Sequence, residues 1–138
     1  MTATPPSAEL VTYAARLVRV VRRTAANDST ASLRLLSQLD ELGAVTVTEL
    51  ARADRSTQPT ISAGVRSLEE KGWVHRVSNP DDARSTLLQL SDSGRAELQA
   101  ARRRHGAVVD DLAARQGIDA AAISDAVAVL RALCTPGG

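Results

Sequence analysis

Aromatic side chains are almost missing: there is no Phe, and Tyr13 and Trp73 are the whole aromatic complement of 138 residues. A core must therefore be assembled from Leu, Val, Ile and Ala, which favours thin, closely packed helices over a thick sandwich. The same shortage nearly excludes the stacking platforms on which single-stranded nucleic acids are held. Cysteine is scarce too. Cys134 alone makes no internal disulfide and no multi-cysteine metal site. His75 and His105 stand apart, without Cys, Asp or Glu at ligand spacing, so neither a metal nor a cofactor is expected. No apolar run approaches the roughly 18 residues needed to cross a bilayer. Met1–Ala8 carries prolines rather than a charged start followed by an apolar stretch. No signal peptide is visible, and a cytoplasmic protein with no membrane partner is expected. No nucleophile-elbow glycines, phosphate loop or paired catalytic carboxylates appear, so the chain does not read as an enzyme.

Lysine is the last scarcity. Lys71 is the only one, and every other cation is arginine, the residue suited to forked contacts with phosphate and guanine. The net charge of +1 does not favour nucleic acid by itself. Hydrophobic residues at 43% and charged residues at 24% place the chain among folded globular proteins, with the length of one domain.

Against these absences, the apolar residues are strongly patterned. Leu10, Val11, Ala14, Leu17, Val18 and Val21 form one stripe on a first helix, beginning near residue 9 after a loose arm. Asn27-Asp28-Ser29-Thr30 interrupts it and offers caps for a second helix carrying Leu33, Leu36 and Leu39, which Gly43 ends. Thr46-Val47-Thr48-Glu49 reads as a capping box opening a short helix to about Ala53. Asp54-Arg55-Ser56 reads as a tight turn. Ser56 is placed to cap the next helix, with Pro59 in its first turn and its end near Lys71. Two helices joined by about three residues make a helix-turn-helix pattern. Trp73–Val77 and Thr86–Leu90 are β-rich, separated by the turn cluster Asn79-Pro80-Asp81-Asp82: a hairpin with an arginine-bearing tip, or wing. Ser91 caps a long helix from Asp92 to Arg115, Gly117 breaks it, and Asp119 caps a last helix with Ile123, Ala126, Val127, Leu130 and Leu133.

The fold class expected is mainly α with a small β-hairpin, in a single domain over 1–138. Residues 31–90 form a winged helix-turn-helix lobe, flanked by dimerisation helices over 9–27 and 92–134. The flanking helices carry more apolar surface than a small winged lobe needs, and the simplest partner for it is a second copy of the chain.

Several motifs stand in order at compatible spacings: Thr48-Glu49-Leu50-Ala51-Arg52-Ala53, Ser56-Thr57-Gln58-Pro59-Thr60-Ile61-Ser62, Val65–Val74, Arg76 with Pro80–Ser85, and Leu90-Ser91-Asp92-Ser93-Gly94-Arg95. Together they resemble the MarR family of bacterial regulators. The resemblance implies a homodimer whose terminal helices interlock and whose two winged lobes bind a palindromic double-stranded DNA operator. It also implies repression relieved by a small aromatic or lipophilic ligand, bound between the dimer helices and the lobe. Three departures stand out. Arg55 occupies a turn position that is often Gly, Ala63 a position often held by a base-reading Arg, and the first helix has no cysteine.

With Ile61, Val65 and Leu68 facing inward, the second helix of the motif turns Pro59, Thr60, Ala63 and Arg66 outward, with Gln58 and Ser62 beside them. Gln58 can read adenine, Thr60 or Ala63 can touch a thymine methyl, and Arg66 can hold phosphate or reach guanine. Ser56 and Thr57 complete that face at its start. At the wing, Arg84 suits the negative potential of a minor groove. Asp82 pairs with it and fixes its direction, Arg76 supports the same network or touches phosphate, and Ser85 completes the expected DNA-binding wing. Tyr13 and Arg16 are the candidates for contact with a ligand. The alternative reading is a winged-helix protein-interaction scaffold without DNA binding, which has no need of cations at both Arg66 and Arg84.

Overall fold

The computed structural model describes residues 2–25 and 30–137. Within these residues six helices and one hairpin follow in the order α1 (Pro6–Thr24), α2 (Thr30–Leu42), α3 (Val47–Asp54), α4 (Gln58–Glu70), β1 (Val74–Ser78), β2 (Thr86–Leu90), α5 (Asp92–Arg115) and α6 (Ala120–Cys134). This is the mainly helical α+β architecture that the patterning predicts.

Local chemistry sets most of the boundaries. The Thr46 hydroxyl accepts the Glu49 N–H, and the Glu49 carboxylate accepts the Thr46 N–H, closing the capping box at α3. Ser91 and Asp119 accept the backbone N–H groups of Gly94 and Ala122 and so start α5 and α6. Several boundaries differ from the sequence reading, and β1 also runs on to Ser78. The first helix starts at Pro6, because proline is tolerated where the N–H has no helical partner. The first strand starts at Val74, since the Trp73 N–H is taken by the Leu68 carbonyl. The cap of α4 is Thr57, not Ser56. Asn27, Asp28 and Ser29, the proposed caps of the second helix, lie outside the described residues.

β1 and β2 pair antiparallel, with Val74 opposite Leu90 and Ser78 opposite Thr86. Val45 adds an isolated bridge to Leu88 and ties the entrance of α3 to the hairpin. One core of buried side chains joins the lobe: Leu35, Leu36 and Leu39 of α2, Leu50 and Ala51 of α3, Ile61, Val65 and Leu68 of α4, Val45, Val74, Leu88 and Leu90 of the hairpin layer, and Leu98 of α5. The expected Leu33 is only partly buried, and Leu35 takes its place in the core. α5 is docked closely to the hairpin. A Cβ added at Gly94 would collide with the Trp73 carbonyl oxygen, and the Ser91 N–H and hydroxyl donate to the Trp73 and Gly72 carbonyls.

The terminal helices are different. Among the described residues α1 buries only Val21, and α6 buries none. Val11, Tyr13, Val129 and Leu133 are each more than half exposed. No helix among the described residues is long and apolar enough to cross a membrane.

Candidate nucleic-acid interface

The core fixes which side of α4 faces outward. Ile61, Val65 and Leu68 are buried, so Pro59, Ala63 and Arg66 come out on the opposite side, all exposed, with Ser62 half-buried beside them. Among the described residues Arg66 has neither a hydrogen-bond nor an ion-pair partner. Gln58 is exposed, and its Nε2 donates to the Thr48 hydroxyl at 2.7 Å, which ties the start of α4 to α3. Its Oε1 and second N–H stay available. Thr57 and Thr60 share a hydroxyl–hydroxyl bond of 2.9 Å at the first turn, so the Thr60 hydroxyl is already engaged while its methyl is not. Glu70, also exposed, adds an acid at the far end of the helix.

Ser56 does not face outward with the others. Its hydroxyl donates at 2.6 Å to Asp54, whose carboxylate is a junction for the whole motif. Asp54 also accepts from Arg34 Nε at 2.8 Å and from Gln38 Nε2 at 3.0 Å. Its side chain is only 3% exposed. The Ser56 hydrogen bond, followed by those from Arg34 and Gln38 and the Arg34 charge, holds its carboxyl below the usual value; burial pushes the other way and loses. One buried carboxylate thus fastens α2, the end of α3 and the turn into α4. Sequence alone places Asp54 in the turn but does not reveal this junction, because its partners Arg34 and Gln38 lie 20 and 16 residues away. The one local signal was an acid followed two residues later by serine.

Between Asp54 and Ser56 stands Arg55, the only described non-glycine residue with positive φ, at 55° with ψ of 37°. An L-residue in this left-handed conformation is destabilised by about 1 kcal/mol relative to glycine. The backbone needs the conformation. The Ser56 N–H reaches the Ala51 carbonyl, and the Arg55 N–H the Arg52 carbonyl, closing the end of α3.

The wing is built from two side-chain turns. Asn79 Oδ1 accepts the Asp81 N–H, and Asp82 Oδ1 accepts the Arg84 N–H, both at 3.0 Å. Asn79 also donates to the Ser85 hydroxyl at 2.9 Å, bracing the loop across its base. Asp82 lies 3.5 Å from Arg84 Nε, yet the Arg84 side chain remains 95% exposed at the tip. Arg76 is not part of this network. Its guanidinium donates to Glu69 of α4 at 3.1 Å and to Thr86 across the hairpin, joining β1 to α4.

Tyr13 and Arg16 stack on one another on the exposed side of α1, with 5.2 Å from guanidinium carbon to ring centroid. They do not line the open cavity of about 520 Å³ between α1, α2 and α5. Its walls are Leu17, Val18, Val21, Leu33, Leu98 and Val109, with Arg22, Arg34, Gln38, Arg102 and His105 supplying polar edges. Arg34 and Gln38 thus touch both the cavity and Asp54. Gln38 Oε1 is buried and has no hydrogen-bond partner among the described residues.

The MarR family model matches residues 29–86, which cover α2 through the start of β2. The uncharacterized HTH-type transcriptional regulator YxaD of Bacillus subtilis is 34% identical over 94 residues, covering 67% of this chain and 66% of that relative. A solved chain from Pseudomonas aeruginosa PA01, described as a transcriptional regulator, is 27% identical. It superposes with a TM-score of 0.76 over 96% of this chain and 94% of its own. Bordetella bronchiseptica BpsR, whose structure addresses regulation of its DNA binding by 6-hydroxynicotinic acid, shares the fold at 19% identity and a TM-score of 0.63, over 99% of this chain and 98% of its own.

Proposed function

This chain belongs to the MarR family, and from that premise we propose that it is a sequence-specific double-stranded DNA-binding transcriptional regulator, a homodimeric repressor released by a small molecule. The observation that carries the DNA reading is the pairing of two exposed cationic features on one lobe. One is the outer face of α4, with a partner-free Arg66; the other is the wing tip, with Arg84 projecting into solvent. A dimer presents two copies of α4 to successive major grooves about one helical turn apart, while the two wings flank them in minor grooves. Gln58, Pro59, Thr60, Ser62, Ala63 and Arg66 face the bases and backbone. Arg84 enters the minor groove, aimed by Asp82 and by the Ser85–Asn79 brace. Ser56 and Arg76 act through the fold, Ser56 by holding Asp54 and Arg76 by holding Glu69.

The apolar faces of α1 and α6 support the homodimer. Leu10, Leu17 and Val18 on one helix, and Val127, Leu130 and Leu133 on the other, are each at least 40% exposed in a single chain. A second copy packed on them removes this apolar surface from water. The α1–α2–α5 cavity supports the release step. Its apolar walls suit a lipophilic small molecule, and the regulation of BpsR by 6-hydroxynicotinic acid gives a precedent within the fold. Such a molecule shifts the equilibrium only by preferring the lobe spacing that does not match the operator.

Fluorescence anisotropy tests the proposal, with the purified protein titrated against the DNA upstream of its own coding region and against a scrambled control. Preference for one duplex by about a thousandfold, weakening steeply with salt, is the expected result. Absence of salt-sensitive binding to any duplex by the intact dimer would refute it in favour of a protein-interaction scaffold.

A further inference from the structure

We infer that Arg55, together with Arg52 three residues before it, forms a phosphate clamp at the turn of the helix-turn-helix motif. The clamp grips the DNA backbone beside the groove that α4 enters. It rests on the DNA-binding reading above and adds two contacts outside α4 and the wing.

The first ground is a comparison of helix ends. Four described residues take the left-handed conformation, each closing a helix: Gly43 after α2, Gly72 after α4, Gly117 after α5 and Arg55 after α3. Glycine adopts this conformation without steric penalty, and Asn or Asp offset part of the penalty with a local side-chain hydrogen bond. Arginine does neither. The Arg55 side chain is exposed and makes no hydrogen bond, ion pair or ring contact among the described residues, so the folded chain gains nothing there that offsets the strain. A strained residue with no structural return points to a role outside the fold.

The second ground is charge. Several arginines elsewhere in the lobe and on α5 are matched to acids: Arg34 to Asp54, Arg76 to Glu69, Arg102 to Asp40 and Arg115 to Asp111, whereas Arg66, on the proposed DNA-facing side of α4, is not. Arg52 and Arg55 have no such match, although acids stand close to both. Asp54 adjoins Arg55 in sequence, but its carboxylate is turned inward and saturated by Arg34, Gln38 and Ser56. Glu49 lies one helical turn before Arg52, but its carboxylate accepts the Thr46 N–H. The fold therefore withdraws the nearby negative charges and leaves two exposed guanidiniums at the turn. Each is a planar fork suited to two oxygens of one phosphate. Phosphodiester is the matching chemistry because the motif carrying the pair is the one that approaches DNA.

Replacing Arg55 by glycine separates the two roles, since it relieves strain while removing the cation. The probe is a labelled random-sequence duplex of about 30 bp, titrated at salt concentrations from about 50 to 300 mM, because phosphate contacts are independent of sequence. Arg55→Gly is expected to melt higher than the parent by about 2–4 °C. It should also bind about tenfold more weakly, with the salt slope reduced by about 0.9 per protomer. Arg55→Gln and Arg52→Gln should lose affinity and slope in the same way without the rise in melting temperature, and Arg55→Lys should recover the slope. Arg103→Gln, an equal loss of charge on the outside of α5, sets the background. If the Arg55 and Arg52 variants match Arg103→Gln while the parent protein binds with its usual salt dependence, the clamp is wrong and the DNA reading stands. A lower melting temperature for Arg55→Gly would make Arg55 a structural residue and overturn the clamp too. If the parent shows no salt-dependent binding to any duplex, both inferences fall together.

Discussion

The winged lobe and the terminal helices draw on the same aliphatic residues and end in opposite states. In the lobe, Leu36, Leu50, Ile61, Val65, Leu68 and Leu88 are each 1% exposed or less. In α6, Val127, Val129, Leu130 and Leu133 run from 41% to 65% exposed. Apolar content is therefore not what separates them. In the lobe, α2, α3, α4 and the hairpin surround one another and close a core within one chain. α1 and α6 have few intrachain neighbours, so their hydrophobic free energy is available for association. On the homodimer proposed above, stability in the first region is a property of the chain, and in the second it depends on concentration.

Several substitutions test that difference. The largest effect is expected at the interface. Leu130→Asp should weaken self-association by at least a hundredfold, about 3 kcal/mol, read by sedimentation across a dilution series. A chain that stays dimeric would place the interface elsewhere. Leu36→Ala, in the lobe, should lower stability by about 2–5 kcal/mol in urea, with the same loss at dilute and concentrated protein. A concentration-dependent loss would mean that the lobe is not self-sufficient.

Asp54→Asn is expected to cost about 1–3 kcal/mol at neutral pH, since a buried charge-assisted network is weakened. Its pH dependence has a definite sign. The folded carboxyl titrates below the usual 3.8, so the unfolded chain takes up the proton first as pH falls. The stabilisation from Asp54 is complete above that value and disappears as pH drops through the lower, folded one. The gap between the parent and Asp54→Asn should therefore close in acid, and a gap independent of pH would remove the carboxylate from the account. Smallest in folding terms is Arg84→Ala. It should leave the melting temperature unchanged and weaken operator binding about tenfold, about 1.4 kcal/mol. Unchanged affinity would remove the wing from the interface.

Much of this architecture was legible along the chain because its signals are local. The bounds of α5 follow from the Ser91 cap and from Gly117, the Thr46–Glu49 box announces α3, and Thr86–Leu90 reads as a strand over its full length. The outward face of α4 followed from three buried positions at helical spacing. Where two signals competed, local reading had no means of choosing. Ser56 and Thr57 are both good caps, and Thr57 holds the position because Asp54 engages the Ser56 hydroxyl. Leu33 fits the periodicity as well as Leu35 does, and the approach of α4 selects Leu35: a Cβ on Gly64 would stand 2.7 Å from Leu35 Cδ1.

The sequence by itself determined the order of elements, the helix-turn-helix and wing, and the arginine-rich chemistry of the exposed surface, because caps, turns and periodicity act over a few residues. Tertiary structure alone decided which charges remain free. Arg34 and Arg55 are alike on paper, but packing α2 against the end of α3 delivers Arg34 and Gln38 to Asp54 and leaves Arg55 in solvent. Ion pairs between residues distant in sequence depend on where helices come to rest, and that is set by the shape of the core they share.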